Sequence, residues 1–208
     1  MKIAILLYPG FTALDAIGPY ETLGRLPGAE PYFVAERPGP VRNDSGHTAL
    51  VASAALEDLT DPDVVVVPGG PPANLPLEPG PVTEWLRATD PGTTWTTSVC
   101  TGSLILAAAG LLEGRRATSH WLYLERLAEY GAEPAGERVV TDGKYVTAAG
   151  VSAGIDMGLA LAGRIAGDRV AQSVQLLIEY DPRPPYDAGS PRTAPADLVA
   201  EWRSVRGV

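Results

Sequence analysis

One cysteine and two histidines are all that 208 residues hold of those types, and each scarcity narrows what the chain does. A single cysteine forms no internal disulfide, so a reducing, cytoplasmic compartment is expected. At this length a full core can be buried without covalent or metal staples. The histidines, His47 and His120, lie far apart in the chain, and with one cysteine they argue against a zinc site. Basic clusters are missing too. The formal net charge is −9, and an acidic surface repels phosphate backbones, so no nucleic-acid partner is expected. Long apolar runs are absent: the opening stretch 1–8 is too short to span a membrane and no small-residue cleavage site follows it. Neither a G-x-G-x-x-G fingerprint after a strand nor a G-x-x-x-x-G-K-[ST] loop occurs, so no nucleotide cofactor is indicated.

What is present is a regular alternation of short apolar runs and helix-like stretches, which predicts an α/β fold with a mainly parallel sheet and helices on both faces. Strands are expected at 2–8, 32–35, 64–67 and 94–99, with 138–140 and 144–148 forming a hairpin around Asp142-Gly143. Helices are expected at 15–24, 82–88, 101–112, 151–166 and 168–179. Pro19 is tolerable only in a first turn. The helix from 101 is expected to end at Gly114. In the last helix Val170, Val174, Leu177 and Ile178 share a face. No repeat or linker interrupts the chain, so residues 1–208 read as one domain, with a proline-rich extension over 181–208 packed on it.

The chemistry concentrates at Ser98-Val99-Cys100-Thr101-Gly102-Ser103, between a β-prone run and an apolar helix. Small residues on both sides of the cysteine suit a sharp strand-to-helix turn, or nucleophile elbow. Such a turn lifts the sulfur to the carboxyl end of the sheet, where open α/β folds bind ligands. A helix amino terminus behind it would lower the thiol from about 8.5 to roughly 4–7. The competing reading is a small buried hydrophobe. Asp15 sits where a loop enters a helix, either as an N-cap or as a carboxyl group facing the thiol, where it would hold its proton more tightly. Gly69-Gly70 closes the 64–67 strand as a plain turn or as an anion cradle. His120 either orients a substrate or caps the helix that follows. His47, in a polar loop, has no assigned role.

Several blocks together resemble the ThiJ/PfpI superfamily over nearly the whole chain. They are Leu7-Tyr8-Pro9-Gly10-Phe11 with Leu14-Asp15 and Gly18-Pro19-Tyr20-Glu21, Val67-Pro68-Gly69-Gly70, the Cys100 elbow, Ala117-Thr118-Ser119-His120-Trp121, and Ala149-Gly150-Val151-Ser152-Ala153-Gly154-Ile155-Asp156. Thr101 after the cysteine, Tyr180-Asp181-Pro182 and the 184–191 segment are similar to the isocyanide hydratase branch. The resemblance implies a flavodoxin-like (class I glutamine amidotransferase-like) fold and a homodimer. It makes Cys100 the nucleophile and Asp15 its acid/base partner. The Gly70 and Thr101 amides would line the anion site, with Gly150 and Val151 near the thiol. It further implies a small-molecule substrate, no metal and no organic cofactor. Thr101 stands where PfpI-type peptidases carry a histidine, which counts against proteolysis. A helix-turn-helix module of related regulators is not expected, because the chain stops at Val208. Hydration of an isocyanide is therefore the leading expectation. A glyoxalase- or deglycase-like action on α-oxoaldehydes and a non-catalytic redox or ligand-sensing role are the alternatives.

Overall fold

Val64–Val67, four buried β-branched residues in a row, forms the central strand of a seven-stranded sheet. A strand with no polar face must be covered on both sides, which places helices above and below it. The computed structural model describes residues 1–206. In chain order the elements begin with β1 (Lys2–Leu6), α1 (Ala13–Leu23), β2 (Glu30–Ala35), β3 (Gly39–Arg42), β4 (Ala49–Ala52), β5 (Ala54–Ala55), β6 (Val64–Val67) and α2 (Pro81–Thr89). They continue with β7 (Trp95–Val99), α3 (Gly102–Ala108), β8 (Arg116–Ala117), β9 (Glu133–Pro134), β10 (Val139–Asp142) and β11 (Tyr145–Ala148). The helices α4 (Ala153–Ala166), α5 (Asp168–Leu177) and α6 (Ala196–Arg206) follow.

The large sheet has the order β10-β11-β7-β6-β1-β2-β5, with every pair parallel except β10–β11. Two helix sets flank it, α1 with α4 and α5, and α2 with α3. The strands expected from the sequence, including the hairpin around Asp142-Gly143, all form. The β3–β4 hairpin, the edge strand β5 and the α6 helix were not anticipated.

Three helix expectations need correction. The first helix starts at Ala13, not 15, so Pro19 lies inside it and removes one backbone donor. Packing against α4, where Gly154 lies close to the proline ring, holds the helix despite that loss. The helix after the cysteine stops at Ala108 because Gly110 turns left-handed at φ 78°, four residues before Gly114. On α5, Val174 is buried but Leu177 is largely exposed, so the shared apolar face is only half used.

From Asp181 to Val205 the chain is mostly exposed, yet it keeps a defined course. Tyr180 Oη donates to Asp156 Oδ1 at 2.9 Å at its base, and Arg192 Nη1 donates to the Gly136 carbonyl at 3.2 Å farther along.

Candidate active site

Cys100 connects β7 to α3 and adopts φ 59°, a left-handed backbone that L residues rarely take. Neighbouring contacts hold it there. Its amide donates to the Ala148 and Ala149 carbonyls, both at 3.0 Å, and its own carbonyl accepts the Ser103 and Ser119 hydroxyls at 3.1 and 3.2 Å. The strain is therefore fixed by surrounding bonds, as at sites where a side chain must be presented at one angle. A Cβ on Gly69 would lie 2.6 Å from the Thr101 amide nitrogen, so only glycine lets this loop reach the elbow.

Asp15 does not cap its helix. Thr12 is the N-cap, and Asp15 lies inside the first turn with its side chain fully buried. Oδ2 accepts the Gly69 amide at 2.9 Å, and Oδ1 has no ordinary hydrogen-bond partner among the described residues. The carboxyl group faces the Cys100 thiol, and the two groups interact. Burial pushes Asp15 up to about 7, against the pull of the Gly69 amide and the thiol.

The low thiol pKa expected from the helix amino terminus is not found. Burial first, and the Asp15 charge second, push Cys100 up to about 12. The Val151 and Thr101 amides and the Thr101 hydroxyl oppose this without overcoming it. α3 has only seven residues, and its terminal dipole cannot offset the removal of water from the sulfur. The pair thus passes from two protons to one around pH 7, and a thiolate arises in the one-proton form only where Asp15 keeps that proton.

The other predicted residues fall around this pair. Val151 lines the same cavity and holds φ 25°, a conformation costly for a β-branched residue, with its amide directed to the sulfur. Gly70 also lines the cavity, but its amide donates to Thr101 Oγ1 at 2.9 Å and so is not an open anion donor. Thr101 Oγ1 donates in turn to the Gly70 carbonyl at 2.7 Å; its single proton has both that carbonyl and the sulfur as acceptors. Gly150 sits behind His120, where a Cβ would lie 2.8 Å from the imidazole Cδ2. His120 does not cap the helix that follows, which begins at Leu124 with Tyr123 as its N-cap and no side-chain bond there. Its Nδ1 accepts the Leu122 amide at 3.3 Å, and the ring lines the cavity.

The cavity, of about 360 Å³, is walled by residues from several loops and from the carboxyl-terminal segment. Sequence reasoning missed Asp44, which accepts the Thr12 hydroxyl at 2.8 Å at the rim, and it missed Leu198, Val199 and Trp202 of α6. Their i, i+1, i+4 spacing is a legible helical signal. Nothing local marks Asp44. The lining includes neither lysine nor arginine, and no group of three His, Cys, Asp or Glu stands ready for a metal among the described residues.

A strained cysteine beside a carboxyl group, at the carboxyl edge of a parallel sheet, defines an α/β protein of the nucleophile-elbow class. This chain belongs to the DJ-1/PfpI family, whose model matches residues 1–164. It is 43% identical over 203 residues to an isonitrile hydratase of Pseudomonas putida, covering 98% of this chain and 89% of that protein. A deglycase of Thermococcus kodakarensis is 32% identical over 149 residues, 71% of this chain and 89% of that one. Among solved structures, a ThiJ/PfpI family protein from Pseudomonas syringae superposes with a TM-score of 0.94 at 41% identity, covering 98% of this chain and 85% of that one.

Proposed function

We propose that the protein hydrates isocyanides, R–NC, to N-substituted formamides, R–NH–CHO, with Cys100 as nucleophile and Asp15 as acid and base. The observation that carries this reading is the buried, coupled Asp15–Cys100 pair opening onto a cavity whose lining, among the described residues, has no basic side chain other than His120. An isocyanide is uncharged, with an electrophilic terminal carbon, and needs no cation to bind it. The near full-length likeness to an isonitrile hydratase supports the same chemistry.

The thiolate attacks the terminal carbon, and Asp15 delivers its proton to that carbon, giving the thioimidate R–N=CH–S–Cys100. Asp15, now a carboxylate, takes a proton from water as the hydroxide adds to the same carbon. That proton passes to the nitrogen. Collapse breaks the C–S bond, releases R–NH–CHO and returns the hydroxyl proton to Asp15, so atoms balance as R–NC plus water. Val151 and Thr101 stabilise the sulfur anion, and the His120 ring orients the substrate. No metal or organic cofactor takes part.

No helix among the described residues is long and apolar enough to cross a membrane. We place the enzyme in the cytoplasm on its single free thiol, and read residues 1–208 as one domain whose extension closes over the site. A homodimer accords with the exposed Leu176, Leu177, Tyr186 and Val205.

Purified protein incubated with an aryl isocyanide should yield the formamide, and turnover that survives Cys100→Ala would exclude the mechanism. The deglycase relative keeps α-oxoaldehydes as a second reading, favoured if methylglyoxal gives lactate while isocyanide is untouched.

A further inference from the structure

We infer that α6 selects the substrate, its Leu198, Val199 and Trp202 forming with Trp121 a pocket for an apolar, uncharged R group; this rests on the hydratase reading above. The isocyanide carbon must sit at Cys100, so the remainder of the cavity receives R. Leu198, Val199 and Trp202 lie on one face of α6 and all line that cavity. Trp121 lines it as well, and Arg203 of α6 lies 6.0 Å from the Trp121 ring centroid, which sets the helix beside that wall.

Leu198 and Trp202 are 40% and 46% exposed, apolar surface that a bound R group would cover. Charge gives the complementary argument. Among the described residues the lining holds no lysine or arginine, whereas Asp44 contributes a carboxylate at the rim. An R group bearing a carboxylate would meet a like charge and find no cation partner. The class selected is therefore isocyanides with neutral aliphatic or aromatic substituents.

The test measures kcat/KM for methyl isocyanide, phenyl isocyanide and isocyanoacetate with the parent, Trp202→Ala, Leu198→Ala and Asp44→Asn. The parent should favour phenyl over methyl by at least tenfold and over isocyanoacetate by at least 100-fold. Trp202→Ala or Leu198→Ala should lower the phenyl-to-methyl ratio at least tenfold, chiefly through KM. Asp44→Asn should raise the isocyanoacetate-to-phenyl ratio severalfold. An unchanged phenyl-to-methyl ratio in both α6 variants, or equal use of phenyl isocyanide and isocyanoacetate by the parent, overturns the inference. Should the parent hydrate none of the three, the hydratase reading fails, and the pocket is then judged by calorimetry on Cys100→Ala. Binding of N-phenylformamide but not N-formylglycine, weakened by adding Leu198→Ala, upholds the pocket. Any other pattern rejects it.

Discussion

The carboxyl group of Asp15 and the thiol of Cys100 face each other inside the protein, the first fully buried and the second 6% exposed. The Asp15 charge raises the cost of ionising the thiol, whereas the thiol's hydrogen bond eases ionisation of Asp15, so neither titrates as a free side chain. The functional unit is the pair and its one proton.

From this follows the pH profile. Below about 7 the pair carries two protons and no thiolate exists; above it one proton is lost and the shared-proton form predominates. The Cys100 rise to about 12 delays loss of the second. Isocyanide hydration, read as kcat/KM, should therefore rise with a single apparent pKa near 7 and stay level well into the alkaline range. A fall between pH 7 and 9 would contradict the assignment.

Asp15→Asn removes the second-largest cause of the raised thiol pKa. Alkylation of Cys100 by iodoacetamide should then titrate at lower pH than in the parent, while hydration falls at least 100-fold because no acid remains. Stability should move the other way. A carboxyl group whose folded pKa is about 7 favours folding only while protonated, so its cost is absent below about pH 4, grows to about pH 7 and is complete above it. The variant should melt several degrees higher than the parent at pH 8, with the difference closing below pH 4.

Thr101→Val deletes the hydroxyl that accepts the Gly70 amide and donates toward both the Gly70 carbonyl and the sulfur. It leaves a buried amide and carbonyl unpaired, which costs about 1–3 kcal/mol. Activity is expected to drop tenfold or more, and a denaturant midpoint should register the destabilisation. Thr101→Ser should recover most of both.

The α1–α4 contact offers a packing test away from the chemistry. A methyl on Gly158 would overlap the Thr22 hydroxyl, so Gly158→Ala should destabilise by about 1–3 kcal/mol. Thr22→Ala in the same chain should return at least half of that loss in a double-mutant cycle. Additive losses would show that the two helices do not meet there.

The alternation of apolar runs was sufficient to place the strands of the large sheet except the two-residue β5, because β-branched buried runs such as Val64–Val67 have few other folds open to them. Helix ends were less legible: Gly110 and Gly114 both turn left-handed, at φ 78° and 67°, and no local pattern says that the nearer one closes α3. At the site, Cys100 stood out through its small neighbours, and Asp15 through its position after β1. The sense of the thiol shift did not, because a helix terminus is visible in sequence whereas the burial that outweighs it is not.

The sequence alone determined the α/β layering, the elbow at Cys100 and the absence of histidine beside it, since these follow from local pattern and residue identity. Only the tertiary structure decided that Asp15 turns away from its own helix toward the sulfur, that the Gly70 amide is already engaged by Thr101, and that α6 returns to line the cavity. Those facts depend on groups 31 to 102 residues apart meeting within bonding or packing distance, and a linear pattern carries no record of such meetings.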